Sequence, residues 1–305
     1  MRKSFLIILT IIASEKIFAQ EIDQEALLRR RDSLENLLMV NAGASAILVK
    51  RGEVELYSFN SLLSSSQFND KQGNNSNLPG KYLLFNSLFQ VNYGVSASRR
   101  FNVGLDISYR AYRYSPDKDD PLFSVFESGP TTVRSLAYGG PRIRWQPFRK
   151  LNNFTYQSHL WIPIANKSRQ DDLGTSRINW GHTFFYYKYF SRKVGLFGQA
   201  SFTFAFPTSS SGDNATTEYY MPLSVSLVFV PTPKNILYGS LTYSWTNYDL
   251  SKITEGADSD FSQFGIGYQR IISKYFFANI SYYGTLFARN YGVWNGFNLG
   301  VRYVF

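Results

Sequence analysis

Phe297-Asn298-Leu299-Gly300-Val301-Arg302-Tyr303-Val304-Phe305 closes the chain, and its alternation decides the fold. Phe297, Leu299, Val301, Tyr303 and Phe305 share one parity, while Asn298, Gly300 and Arg302 occupy the other. Successive side chains of a strand point to opposite faces, so this stretch has an apolar face and a polar one. A strand of that kind at the end of a chain suits a wall with lipid on one side and a polar interior on the other.

Working back from that strand, the chain from about Glu53 onward divides into twelve alternating segments. They span approximately 53–63, 82–96, 101–113, 132–146, 153–163, 179–190, 194–206, 218–230, 236–248, 261–272, 275–288 and 295–305. In the third, Phe101, Val103, Leu105, Ile107 and Tyr109 alternate with Asn102, Gly104, Asp106, Ser108 and Arg110. The eighth sets Met221, Leu223, Val225, Leu227 and Phe229 against Ser224 and Ser226, and the eleventh sets Phe276, Ala278, Ile280 and Tyr282 against Asn279, Ser281 and Thr285. The first and sixth segments alternate less regularly, which leaves their register weakly specified. Connections are alternately short (near 98–100, 148–152, 191–193, 232–235 and 273–274) and long (near 64–81, 114–131, 165–178, 207–217, 250–260 and 289–294). The expected fold is all-β: an antiparallel up-and-down transmembrane barrel of about twelve strands, with the even count returning both barrel ends to one side. A soluble β-sandwich also has many short alternating strands. It needs far fewer rings than the 17% aromatic content here, and Trp145, Tyr189, Tyr243, Trp245 and Tyr303 recur near strand ends, where interfacial girdles sit.

The terminal Phe305 with Tyr303 two places earlier resembles the C-terminal signal of bacterial outer-membrane proteins, and residues 53–305 resemble Gram-negative outer-membrane β-barrels throughout. On that resemblance Phe297, Leu299, Val301, Tyr303 and Phe305 form the signal read by the barrel-assembly machinery, short turns are periplasmic, long loops are external, and both termini of the barrel are periplasmic. The N-terminus agrees: Arg2 and Lys3 precede an apolar run from Phe5 to Ile12, and Ile17-Phe18-Ala19-Gln20 resembles signal junctions of Bacteroidota. Residues 1–19 are thus expected as a cleaved signal, 20–50 as a periplasmic segment and 51–305 as the barrel. Cleavage removes Arg2, Lys3, Lys16 and Glu15, taking the formal charge from +10 to +8. A basic chain of this kind invites a nucleic-acid reading, which export and the placement of the charges exclude. The absence of cysteine excludes a lipoprotein anchor and disulfides.

Ile22, Leu27, Leu28, Leu34, Leu37 and Leu38 recur at helical spacing, with Arg29, Arg30 and Arg31 interrupting. This predicts an amphipathic helix over Glu21 to Leu38, packed on its own barrel or docked on a periplasmic or outer-membrane partner. The small, apolar Ala42 to Val49 is a candidate partial plug.

Parity carried out from the clear strands turns Arg110, Arg134, Arg142, Arg144, Lys188 and Arg302 toward the lumen, with Asp106 the one acid placed there. A basic lining favours anions, so one expectation is a narrow passive channel for small anionic solutes, without cofactor. The other is a closed barrel whose arginines fill the interior, since twelve strands enclose far less space than sixteen, the protein then being a structural or accessory subunit. Each short turn carries Lys or Arg, suited to anionic headgroups, whereas the long loops are acidic. The acidic loops lack calcium-loop spacing, and no metal site is predicted. His159 and His182 are expected side by side in the lumen as a weak polar pair, and no third ligand accompanies them. Ser158 is adjacent to His159 but points to the opposite face, so no hydrolase triad forms and no enzyme activity is expected.

Overall fold

A computed structural model of the chain describes residues 48–151, 153–208, 216–251 and 257–305. The expected signal (1–19), amphipathic helix (21–38) and most of the candidate plug lie outside the described residues. Twelve antiparallel strands close a barrel: β1 (Val54–Asn69), β2 (Asn75–Gly94), β3 (Phe101–Ser115), β4 (Thr132–Trp145), β5 (Phe154–Pro163), β6 (Arg177–Tyr189), β7 (Val194–Pro207), β8 (Glu218–Thr232), β9 (Asn235–Asn247), β10 (Ser259–Ile271), β11 (Phe276–Arg289) and β13 (Asn295–Val304). A two-residue strand, β12 (Tyr291–Gly292), pairs with the far end of β1. Closure comes from β1, which pairs with β2 on one edge and with β13 on the other. Val54 and Phe305 exchange backbone hydrogen bonds at the seam, so the last residue of the chain completes the ladder.

The wall follows the period-two pattern. In β13, Phe297, Leu299 and Tyr303 are exposed, whereas Asn298, Gly300 and Arg302 are buried. The same inversion of ordinary burial runs around the barrel: the large apolar side chains Leu105 (61%), Leu227 (57%), Leu241 (56%) and Ile266 (63%) are exposed. So large an apolar band would be insoluble in water and fits hydrocarbon. With the sheet closed on itself, no second sheet packs on it, and the sandwich alternative is excluded.

One end of the barrel carries the short turns 95–100, 146–153, 190–193, 233–234 and 272–275, and the other carries the longer connections. The connection expected to be long between β1 and β2 is instead a five-residue turn, 70–74, at the tip of a hairpin whose strands run on past the region expected to be loop. At its tip Gln67, Phe68 and Asn69 stand opposite Asn77, Ser76 and Asn75 despite their largely polar composition, and Ser64 and Ser65 stand opposite Leu83 and Tyr82. The side chain and backbone amide of Asn74 donate to Asp70, as does the Gln72 amide. These bonds hold the Asp70 carboxyl below the usual carboxylate range. The β3–β4 connection folds onto the outer wall, where Val125 of a 3-10 turn (Leu122–Phe126) packs on Leu83 and Ala111. The β5–β6 connection folds the other way, into the mouth.

Candidate functional site

The interior carries its charges in two tiers. In the half nearer the short turns, Glu55 of β1 accepts from Arg144 of β4 at 2.6 Å and pairs with Arg302 of β13. Strands β1 and β4 are not neighbours in the wall, so this contact crosses the inside. Asp106 of β3 accepts from Arg142 at 2.6 Å and from the Trp161 indole at 2.6 Å. Gln157 Oε1 ties the pairs together, accepting from Arg142 and from Arg144 at 2.9 Å each. Asn92 adds a bond to Glu55. All these charged groups are buried. Buried charge survives only when paired and hydrogen-bonded, and this lattice meets both conditions for three arginines with two carboxylates.

The second tier lies toward the long connections. Arg177 of β6 pairs with Glu218 of β8 at 2.9 Å across the inner face of β7. Arg110 donates to Asn86 and to the Leu173 and Gly174 carbonyls of the β5–β6 connection, and the Tyr138 hydroxyl donates to Gly174 as well. These inward side chains hold the connection inside the mouth. Across both tiers, five inward arginines (110, 142, 144, 177, 302) face three inward carboxylates (Glu55, Asp106, Glu218), a surplus of two positive charges.

Of the six basic residues expected to line the lumen, Arg110, Arg142, Arg144 and Arg302 do so. Arg134 and Lys188 do not. In β4 the register slips between Ser108 and Tyr109, whose partners are Tyr138 and Leu136. The extra residue, Ala137, is a β-bulge that reverses parity beyond it. Arg134 is consequently outside, bonded to the Phe126 carbonyl and Ser128 of the outer loop. Lys188 shares the parity of the exposed Trp180 and lies near the Phe190 ring. The histidines are likewise separated. His159 pairs in register with Gly181, and Ser158 with His182, so His159 is inside and His182 is outside, its Nδ1 sharing a 2.7 Å hydrogen bond with the Tyr156 hydroxyl. The imidazole of His159 occupies the space over Gly181, where a Cβ would come within 2.2 Å of it. No side-by-side histidine pair exists. Among the described residues no group of three or more His, Cys, Asp or Glu could hold a metal.

Sequence reasoning missed Glu55, Arg177 and Glu218. The signal for Glu55 was its shared parity with Tyr57 and Phe59 in a strand whose alternation is blurred by Ser58 and Asn60. Those two lie on the outer face and satisfy one another there: the Asn60 amide donates to Ser58 and accepts from Ser87.

The chain enters β1 across the barrel mouth. Asn102, inward on β3, donates to the Val49 carbonyl and accepts from its amide, both at 3.0 Å, and Leu48 and Val49 are buried. This strap passes so close to β2 that a Cβ on Gly94 would lie 1.8 Å from the Lys50 carbonyl oxygen.

No protein-family model matches the chain, and no curated protein matches it. Solved structures do. An outer membrane channel from Pseudomonas putida F1 is 13% identical, with a TM-score of 0.64 over 87% of this chain and 98% of that one. The beta domain of the Bordetella autotransporter BrkA (14% identity, TM-score 0.49, 83% and 99% covered) and the NanC porin (6%, 0.46, 81% and 98%) also align. At these identities the first likeness is one of fold: the chain has the twelve-stranded antiparallel barrel seen in outer-membrane proteins.

Proposed function

We propose that the protein is a narrow passive channel of a Gram-negative outer membrane, with the short-turn end and both barrel termini periplasmic, and that it passes small, preferentially anionic solutes. The observation that carries this reading is a closed barrel whose wall is apolar outside and polar inside. Ser61, Thr183, Ser226, Ser240, Ser281 and Asn298 face the interior around the whole circumference, which is the two-sided pattern of a strand wall enclosing an aqueous path. The surplus of two inward positive charges supports the anion preference.

A second reading is favoured by the Glu55–Arg144–Arg302 and Asp106–Arg142 lattice, which fills much of the short-turn half and suits a closed barrel serving an envelope complex. Such a complex would be contacted through Glu21 to Leu38. Planar-bilayer recording of the purified, folded protein under a salt gradient separates the two. Small anion-selective steps support the channel. A silent bilayer, with insertion confirmed by heat-modifiable gel migration, rejects it in favour of the closed barrel.

A further inference from the structure

The five short turns carry eight cations and not one carboxylate. At the long-connection end the basic side chains of the wall are consumed internally: Lys81 donates to the Asp120 carbonyl, Arg113 pairs with Asp120 and Glu127, and Arg289 pairs with Asp260. At the short-turn end Arg100 donates to the Gln146 and Pro147 carbonyls, but Arg149, Lys150, Arg192, Lys193 and Lys234 are exposed, and their side chains have no hydrogen-bond or ion-pair partner among the described residues. Exposed apolar side chains stand beside them: Phe148 and Leu151 flank Arg149 and Lys150, Phe190 precedes Arg192 and Lys193, and Ile272 precedes Lys274, whose ammonium lies 4.5 Å from the Tyr275 ring centroid.

An apolar group at hydrocarbon depth with an unpaired cation beyond it matches the profile of a lipid with an anionic headgroup. A soluble acidic protein would leave the apolar half of each turn without use. We infer that the short-turn rim is a collar that selects anionic phospholipids from the adjoining leaflet. The attraction acts over about a Debye length and is screened by salt. It concerns the outside of the barrel and does not depend on whether the lumen conducts.

The test is spin-label measurement of lipid association with the folded protein in phosphatidylcholine vesicles, comparing labelled phosphatidylglycerol with labelled phosphatidylcholine. The expected result is a preference for phosphatidylglycerol at low salt, with up to about fivefold lost per cation removed, and collapse of the preference near 1 M salt. The combined Arg149→Glu, Lys150→Glu, Arg192→Glu and Lys193→Glu variant should abolish it, while Lys118→Glu at the opposite end should leave it intact. Should the charge-reversed protein fail to fold, the same four positions changed to Gln give the answer. Equal association of both lipids with the parent, or a preference that survives removal of the four cations, overturns the collar.

Discussion

Glu55 concentrates the electrostatics of the interior in one side chain, because a single carboxylate answers two guanidiniums from strands on either side of it. Replacing a buried ion pair with apolar groups is often harmless, but removing one partner strands the other charge at a cost of roughly 3–5 kcal/mol. Glu55→Gln is isosteric and keeps one acceptor oxygen, so its effect isolates charge from shape. The urea midpoint of the folded barrel is expected to fall, with the heat-modifiable gel transition moving to lower temperature. An unchanged midpoint would mean that water inside the barrel already solvates both arginines. Gly94 is the opposite case, where the constraint is steric. The methyl of Gly94→Ala would overlap the Lys50 carbonyl, and the strap must shift, which overpacking of this size makes costly by about 1–3 kcal/mol. Trypsin should then cut after Lys50 or Arg51 faster than in the parent, with the barrel itself intact.

At the scale of the strand, register decides what each charge does. The bulge at Ala137 separates Arg134 from Arg142 and Arg144 on the same strand, leaving the first outside and the others inside. Ion selectivity is therefore expected to be indifferent to Arg134→Glu and Lys188→Glu, whereas Arg110→Glu should move the reversal potential toward cations. A shift with Arg134→Glu would contradict the bulged register. The same element shows why the fold was legible in the sequence and part of the interior was not. Twelve strands are visible because a two-sided wall forces alternation over ten or more residues, and one misread residue does not erase the pattern. A bulge inserts one residue without altering composition, so Ala137 leaves no mark in the pattern, yet it reverses every assignment beyond it. In β1 the obstacle was different: Ser58 and Asn60, bonded to each other and to Ser87 of β2, place polar groups on the outer wall, which blurs the parity needed to place Glu55. In β6, aromatic residues on both faces made His182 and Lys188 ambiguous, and only pairing with β5 and β7 assigned them.

Taken as one object, the barrel is electrically asymmetric, with eight turn cations and no carboxylate in the turns at one end, whereas at the other end acids such as Asp117, Asp119, Asp249 and Asp258 are largely offset by cations such as Lys71, Lys118, Lys167 and Arg169. A pore with one strongly cationic entrance concentrates anions there. If the lumen conducts, an anion entering from the short-turn side meets an enriched reservoir, while one entering from the long-connection side meets a reservoir close to bulk. Currents of equal driving force and opposite sign should therefore differ in channels inserted in one orientation. The asymmetry belongs to the entrances, and the charges there are solvent-exposed, so salt must remove it. At 0.1 M the Debye length is about 10 Å, comparable to a barrel mouth, and at 1 M it is about 3 Å, shorter than the reach of a lysine side chain. Rectification is thus expected at 0.1 M and near-symmetry at 1 M. Replacing Arg149, Lys150, Arg192 and Lys193 with Gln should weaken it without changing the interior pairs that set selectivity. Rectification that persists at 1 M would instead locate the asymmetry inside the barrel, between the fully buried Glu55 lattice and the Arg110 and Arg177 tier, where salt screens charge less.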